Sequence, residues 1–117
     1  MTILDVETFV VKPEKQAEVM ALWQKSLKYM KENPEKTKAK STRIFTQVLG
    51  GTFGAYVSMS EYDSMADWEK EYATMMQDET QLKLFQEFQT FIVPGTFSIN
   101  ILSALEPKSE TQSTLQP

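Results

Sequence analysis

The most constraining feature of this sequence is the order in which strand-like and helix-like hydrophobic patterns follow one another. β-branched and aromatic residues dominate residues 3–12, and the apolar residues after them recur every three or four positions, as on one face of a helix. Two strand-like segments, residues 42–49 and 52–60, then flank Gly50-Gly51, a pair that tolerates the positive φ angles of a tight hairpin. The first half of the chain is therefore predicted to be strand, helix and hairpin.

The second half continues the alternation of helix and strand. Asp63 or Ser64 can cap a second helix, Ser64 and Asp67 are spaced like a capping box, and a helical apolar stripe follows them. The stripe is interrupted around residues 77–80 and then resumes, so it predicts either one bent helix or two successive helices. Pro94 ends the helical region, and residues 96–105 alternate apolar with polar side chains, as a half-buried strand does.

The resulting order, β-α-β-β-α-β, is that of the ferredoxin-like plait, an α+β fold with a four-stranded antiparallel sheet. Residues 1–105 are predicted to form this single domain, and the polar residues 106–117 to form a disordered tail. The Lys-rich residues 35–40 are predicted to be a solvated connector between the first helix and the hairpin.

Composition excludes several classes of chemistry. The 117 residues contain no His and no Cys, which removes Ser/His/Asp and Cys/His catalysis within one chain and the ligands preferred by zinc, copper and haem iron. We therefore predict no metal and no cofactor. Twelve basic against 16 acidic residues give a net charge of −4, which argues against nucleic-acid binding. The chain has no bilayer-length apolar run and no signal-peptide pattern, so we expect a cytoplasmic protein without a membrane partner.

In this fold the helices cover one face of the sheet and leave the other face bare. We expect the even-numbered residues of the first strand to meet the helices, which puts Ile3, Asp5, Glu7, Phe9 and Val11 on the bare face. The matching choice on the other strands adds Arg43, Phe45, Gln47, Tyr56, Ser58, Ser60, Ser98, Asn100 and Leu102. An apolar patch of this size usually marks an interface, so two such sheets are predicted to close one barrel in a homodimer. A shift of one residue reverses the assignment of faces.

Charged residues on this proposed face have two interpretations. Asp5 and Glu7 lie close enough for like-charge repulsion to raise one pKa, and the pair could act as a general base or bind a hard cation. They could equally pair with Arg43 or with the second copy. Arg43, the sole arginine of the chain, could hold a substrate carboxylate or enolate, or form a structural salt bridge to either acid.

Neutral polar and aromatic residues complete the candidate site. Amide and hydroxyl groups on the sheet could stabilise an oxyanion or simply be hydrated. Trp68 and Tyr72 are one helical turn apart, which favours core packing, although Trp68 could cover the mouth of a cavity. The candidate ligand-binding residues are Asp5, Glu7, Phe9, Arg43, Phe45, Gln47, Tyr56, Ser58, Trp68, Tyr72 and Asn100. None of them is assigned a catalytic role.

The element order, the chain length and the segment EYDSMADWEKEY at residues 61–72 resemble the dimeric α+β barrel superfamily. Within it the sequence is most similar to NIPSNAP-like proteins, in which an acidic, aromatic-rich second helix runs into a shorter helix before the last strand. The second resemblance is to the antibiotic-biosynthesis-monooxygenase type, which has an acidic residue, Ser and Ala at the spacing of Glu61, Ser64 and Ala66. A His that often follows in that type is missing here.

These resemblances imply a homodimeric protein that binds a small apolar or aromatic molecule and has no assigned activity. A first alternative is a cofactor-independent monooxygenase or isomerase acting on an enolisable aromatic or polyketide-like compound. A second alternative is a structural or partner-binding dimer without a ligand cavity. The residues leave all three open. Apolar side chains filling the centre of the barrel would favour the third, whereas a cavity of roughly 300 Å³ or more would favour the first two.

Overall fold

The chain folds into a four-stranded antiparallel sheet with helices packed on one face. The computed structural model describes residues 2–105, and the tail predicted for residues 106–117 lies outside this range. The strands are β1 (Ile3–Val10), β2 (Ser41–Thr46), β3 (Ala55–Tyr62) and β4 (Ser98–Ser103), in the spatial order β2-β3-β1-β4. The helices are α1 (Gln16–Glu32), α2 (Met65–Met76) and α3 (Glu79–Phe91). The predicted α+β plait is confirmed, and the second helical region is two helices.

Local signals explain where the last two helices begin. The side chain of Ser64 caps α2 by accepting a hydrogen bond from the backbone N–H of Asp67 at 3.1 Å, as predicted. Asp78 caps α3 in the same way, accepting from the N–H of Thr80 at 3.1 Å. The helical region divides at this point because Asp78 provides a second helix start.

The predicted phase of β1 is wrong. Its odd-numbered residues face the helices: Ile3, Asp5, Phe9 and Val11 are all buried, and Glu7 is half-buried on the same side. Directly paired residues of an antiparallel ladder share a face, so the even-numbered residues of β3 also face the helices. These are Tyr56, Ser58, Ser60 and Tyr62, paired with Phe9, Glu7, Asp5 and Ile3. The acids are thus under the helical layer rather than on the bare face.

The physical reason for this phase is the aromatic core. The ring of Phe9 packs edge-on against Phe88 of α3 at 4.8 Å between centroids and stacks on Tyr56 at 5.8 Å. Aromatic rings are among the largest apolar surfaces that a side chain can bury, so placing Phe9 and Tyr56 under the helices outweighs burying the smaller aliphatic residues of the other face.

The opposite face of the sheet is open and largely apolar. Its apolar members are Leu4, Val6, Val10, Phe45, Val57, Met59 and Leu102, and most of them are half-buried by their neighbours in the sheet. Among the residues predicted for a bare face, Arg43, Phe45, Ser98, Asn100 and Leu102 do lie on it, and Gln47 lines a cleft beside Phe45. A bare apolar face therefore exists, with a different membership from the predicted one.

The hairpin between β2 and β3 has a longer tip than predicted. The ladder ends at the hydrogen bond from Gln47 N–H to the carbonyl of Ala55 at 2.9 Å, and Gly50, Gly51 and Gly54 beyond it have positive φ angles. Such angles take the chain out of the pleated conformation, so the strands stop short of residues 49 and 52. The tip exposes three large apolar side chains: Val48, Leu49 and Phe53 are each about nine-tenths exposed.

The Lys-rich connector is anchored rather than freely solvated, which corrects the prediction for residues 35–40. Lys36 Nζ lies 2.9 Å from Oδ2 of Asp78 and 2.8 Å from the hydroxyl of Tyr29. One oxygen of Glu71 accepts from the Thr37 hydroxyl at 2.8 Å and from the next two backbone N–H groups. The connector is therefore fastened to α1, α2 and the start of α3. No helix in the described part of the chain combines the length and apolarity needed to cross a membrane.

Candidate functional site

A cavity of about 220 Å³ lies between the sheet and the helices. Its wall is mostly apolar: Phe9, Val19, Leu22, Trp23, Met30, Ile44, Met75, Leu84, Phe85 and Phe88. The polar residues on the wall are Glu7, Ser26, Tyr29, Ser58 and Gln81. Among residues 2–105, Glu7 is the one carboxyl group that lines it. This combination of an apolar wall with few polar groups is typical of a small-molecule site.

Helical spacing explains how the wall is assembled. On α1, Trp23, Ser26 and Met30 follow one another at three and four residues, which places them on the same side of the helix. On α3, Gln81, Leu84, Phe85 and Phe88 repeat the same spacing. Both helices therefore direct one stripe towards the centre of the sheet, where β1 presents Glu7.

The environment of Glu7 changes its protonation. Burial is the largest of several causes that together raise the pKa of Glu7 from its ordinary value of 4.5 to about 8, and the neighbouring Asp5 adds to it through its charge and a side-chain hydrogen bond. Glu71 makes a smaller contribution in the same direction. The predicted effect of like charge within the Asp5 and Glu7 pair is confirmed, with burial as the larger cause. At neutral pH most of the Glu7 carboxyl groups are therefore protonated.

Asp5 is buried beside Glu7, with 8% of its surface exposed. Its Oδ2 accepts a hydrogen bond from the indole N–H of Trp68 at 2.7 Å. Its Oδ1 has no hydrogen-bond partner among the described residues. The charge of Asp5 and a side-chain hydrogen bond with it both favour the protonated form of Glu7.

A third acid, Glu71, lies near this pair and was not singled out from the sequence. Tyr62 donates its hydroxyl to Oε2 of Glu71 at 2.8 Å. Burial and the charge of Glu71 raise the pKa of Tyr62 above its ordinary range. The signal was available, because Glu71 follows Trp68 by three residues and so shares its side of α2. Residues 2–105 contain no group of three acidic side chains arranged to hold a metal ion.

A polar cluster at the rim of the cavity was also missed. Oδ2 of Asp78 accepts hydrogen bonds from Gln81 and Tyr29, each at 2.8 Å, and from Lys36 at 2.9 Å. These donors hold the pKa of Asp78 well below its ordinary value. The Tyr29 hydroxyl and the Asp78 carboxylate, which both accept from Lys36, raise the pKa of Lys36. Tyr29 and Gln81 also line the cavity, so the cluster fixes two wall residues.

The sheet divides the predicted site residues into two groups. Asp5, Glu7, Phe9, Tyr56 and Ser58 lie on the helix-covered side, with Trp68 bonded to Asp5 and Tyr72 stacked on Trp68 at 5.4 Å. Arg43, Phe45, Gln47 and Asn100 lie on the open side. Neither Trp68 nor Tyr72 lines the cavity, so Trp68 does not cover its mouth.

The predicted salt bridge between Arg43 and the acids is wrong, because the sheet separates them. The guanidinium carbon of Arg43 instead lies 4.9 Å from the ring centroid of Phe45 on the open face. Arg43 is therefore not available to hold an anion in the cavity.

This architecture also occurs in other proteins of known structure. The sequence matches no family model and no curated protein. Among solved structures, a NIPSNAP family protein from Agrobacterium tumefaciens aligns with a TM-score of 0.71 and 14% identity, covering 90% of this chain and 87% of that one. An antibiotic biosynthesis monooxygenase-type protein from Caulobacter crescentus aligns with a TM-score of 0.70 and 19% identity, covering 90% and 91%.

SnoaB, a cofactor-independent oxygenase from Streptomyces nogalater, aligns with a TM-score of 0.68 and 10% identity over 91% of this chain and 95% of that one. Likeness at these identities establishes a shared fold. Both resemblances seen in the sequence are therefore confirmed at the level of architecture. The chain has the ferredoxin-like α+β fold that these solved structures share.

Proposed function

We propose that this protein binds a small aromatic molecule in the cavity between its sheet and its helices. The observation that carries this proposal is the cavity itself, an apolar space of about 220 Å³ whose wall contains one carboxyl group with a raised pKa. The cavity is smaller than the roughly 300 Å³ expected of a ligand site, and it lies between the sheet and the helices rather than at the centre of a barrel. It still supports a ligand, because its polar groups are few and converge from several elements.

The volume limits the size of this ligand. An apolar cavity of about 150 Å³ is enough for benzene, whereas pockets for drug-sized molecules begin near 300 Å³. A volume of about 220 Å³ therefore suits a compound with one or two rings. This disfavours the larger polyketide-like compounds among the predicted ligands.

The cavity can be tested without knowing the natural ligand. Isothermal titration calorimetry with 2-phenylethanol, a neutral one-ring probe, should detect binding to the unmodified protein. Ser26→Phe fills the cavity from α1 and should remove this binding, whereas Gln24→Phe adds the same side chain at an exposed position of α1 and should not. Equal binding by the two variants would place the probe outside the cavity and contradict the proposal.

We propose further that a second copy of this chain covers the open face of the sheet. Four strands spaced about 4.8 Å apart and about 20 Å long give a face of roughly 400 Å² in projection. A stable interface needs about 800 Å² of accessible surface from each partner. The exposed hairpin tip with Val48, Leu49 and Phe53 continues the apolar patch and supplies part of the difference.

The boundaries and the location of the protein are also proposals. Residues 1–105 are proposed as the ligand-binding domain, which is supported by β4 ending at Ser103. A cytoplasmic location is supported by the absence of cysteine, because small secreted domains commonly depend on disulfides.

A second candidate function is cofactor-independent proton abstraction, as an isomerase or an oxygenase would need. It is favoured by the position of Glu7, a base whose pKa of about 8 suits reversible proton transfer near neutral pH. One protein of the same fold, SnoaB, is a cofactor-independent oxygenase. The test is exchange of the C1 protons of 2-tetralone, a two-ring enolisable ketone, in deuterated water. The rate should rise as the pH passes 8 and should fall to background in Glu7→Gln.

A further inference from the structure

Three carboxyl groups lie together on the side of the cavity formed by β1. Glu7 lines the wall, and Asp5 and Glu71 stand behind it. Among residues 2–105, no Lys or Arg lines the cavity. Lys36, which donates to the wall residue Tyr29, is paired with Asp78 at 2.9 Å, and the sheet separates Arg43 from this side. The described part of the chain therefore places no cation on the cavity wall beside these acids.

The remainder of the wall is unusually rich in aromatic rings. Five of the fifteen lining residues are aromatic: Phe9, Trp23, Tyr29, Phe85 and Phe88. The faces of aromatic rings attract cations, most strongly where water is excluded. The aromatic rings and the neighbouring carboxyl groups therefore both favour a positively charged ligand.

The hydrogen bonding of Asp5 indicates where such a charge would be accommodated. Asp5 is more than nine-tenths buried, and its Oδ1 has no hydrogen-bond partner among the described residues. When Glu7 is ionised, the two carboxylates repel each other in a poorly hydrated place. A positively charged donor beside Glu7 would relieve this repulsion, since it offsets the negative charge that desolvation penalises.

We propose that the ligand of this cavity is an organic cation, a protonated amine carried on one aromatic ring, with its ammonium group against Glu7 and its ring among Phe85 and Phe88. The proposal rests on the proposed role of the cavity as a ligand site and adds the chemical class of the ligand. A neutral aromatic compound would fill the same volume without offsetting the negative charge of the carboxylates.

Binding of such a ligand has a proton balance that can be measured. Aliphatic ammonium groups have a pKa of about 10, so the ligand arrives charged at pH 7. Glu7, with its pKa of about 8, arrives mostly protonated and must ionise to form the ion pair. Its proton leaves to the buffer, so binding should release close to one proton for each ligand.

The groups that face Glu7 determine this balance. They are Asp5 on β1, Tyr62 on β3, Glu71 on α2 and Tyr29 on α1, and α3 contributes Gln81, which does not titrate. Asp5 and Glu71 carry carboxyl groups and the tyrosines carry hydroxyl groups, so none of them replaces the ligand as a source of positive charge.

The test compares three probes with one ring and a short chain, namely 2-phenylethylamine, 2-phenylethanol and phenylacetate, by isothermal titration calorimetry at pH 7. The amine should bind at least about tenfold more tightly than the alcohol, because a charge-assisted hydrogen bond to a carboxylate is stronger than a neutral one. Phenylacetate should not bind. Titration of the amine in phosphate and in Tris should show the release of a proton.

Variants make the result specific to Glu7. Glu7→Gln keeps the shape of the side chain and should bind the amine no more tightly than the alcohol, with no proton release. Glu87→Gln, at an exposed site on α3, should behave as the unmodified protein. If the alcohol binds as tightly as the amine, the cationic class is wrong and the cavity remains a ligand site. If none of the three probes binds, both the class and the proposed function are wrong.

Discussion

The indole N–H of Trp68 on α2 donates to Oδ2 of Asp5 on β1 across 2.7 Å. This hydrogen bond joins α2 to β1, an inner strand of the sheet, and gives one oxygen of a buried carboxylate its donor. A buried acceptor that loses its donor retains the full cost of its desolvation, so such a bond matters more when it is broken than its net contribution suggests.

Replacing Trp68 by Phe should therefore destabilise the protein by about 1–3 kcal/mol. The aromatic ring that stacks on Tyr72 is kept, whereas the donor to Asp5 is lost. Urea denaturation at pH 7 measures the change in the free energy of unfolding. Tyr72→Phe, at a side chain that is 45% exposed, is the control and should change stability by much less. Equal losses in the two variants would contradict the importance of the indole bond.

The raised pKa of Glu7 predicts that the protein is less stable at higher pH. In the unfolded chain Glu7 loses its proton near pH 4.5, whereas in the folded protein it keeps it until about pH 8. The unfolded state therefore binds fewer protons between these values, and the free energy of unfolding falls as the pH rises through this window. The fall amounts to at most about 5 kcal/mol. Glu7→Gln should remove this dependence and be more stable than the unmodified protein at pH 8.

Urea denaturation from pH 4 to pH 9 tests this expectation. Glu87→Gln removes a carboxylate from the exposed side of α3 and should keep the slope of the unmodified protein. A Glu7→Gln variant that is equally stable or less stable at pH 8 would show that Glu7 is ionised without cost in the folded state.

Asp5→Asn should lower the pKa of Glu7. The substitution removes the neighbouring negative charge while its amide oxygen can still accept from Trp68. The pKa should remain above 4.5, because burial is the largest cause of its displacement and is unchanged. Carbon-13 NMR titration of the Glu7 carboxyl group measures this directly. An unchanged pKa would mean that Asp5 does not act on Glu7.

Asp78→Ala should destabilise the protein at neutral pH by about 1–2 kcal/mol through the lost cap of α3. The pH dependence here has the opposite sign to that of Glu7. The pKa of Asp78 in the folded protein lies well below its ordinary value of 3.8. Ionised Asp78 therefore contributes fully to the free energy of unfolding above pH 3.8, and this contribution is lost as the pH falls towards the pKa of the folded state. The difference between Asp78→Ala and the unmodified protein should therefore shrink at pH 2, as measured by thermal unfolding. A difference that stays constant with pH would contradict the role of the charge.

Met59→Lys should convert the proposed dimer into a monomer. Met59 lies on β3 within the open face, and a lysine stem has a similar unbranched shape, so the monomer should still fold. Two ammonium groups facing each other in an apolar interface would not be tolerated. Light scattering should report twice 13.4 kDa for the unmodified protein and 13.4 kDa for the variant. The control Ala21→Lys, on the exposed side of α1, should remain a dimer. A mass of 13.4 kDa for the unmodified protein would end the proposal.

Most of the fold could be predicted because each element carries a strong local signal. The capping side chain of Ser64 and the proline after Asn33 give helix ends that depend on neighbouring residues alone. The face that β1 turns to the helices could not be predicted in this way. Ile3, Phe9 and Val11 alternate with Leu4, Val6 and Val10, so both faces are apolar and only the packing of aromatic rings from distant elements decides between them.

The same limitation explains the divided site. Asp5, Glu7 and Ser58 were correctly grouped, since strand spacing places neighbours on one face whichever way it turns. Arg43 was grouped with them wrongly, because the register between β2 and β3 depends on where the long hairpin tip ends. The anchoring of Lys36 to Asp78 joins residues 42 positions apart, and composition alone describes such a segment as solvated.

The separation of the two sheet faces has an evolutionary consequence. Alternate residues along β1 belong either to the pocket or to the outer surface, with one layer of backbone between them. A substitution at Glu7 or Phe9 alters the wall of the cavity, whereas a substitution at Val6 alters the open face of the sheet. The chemistry of the pocket and the proposed association through the open face can therefore change independently of each other during evolution.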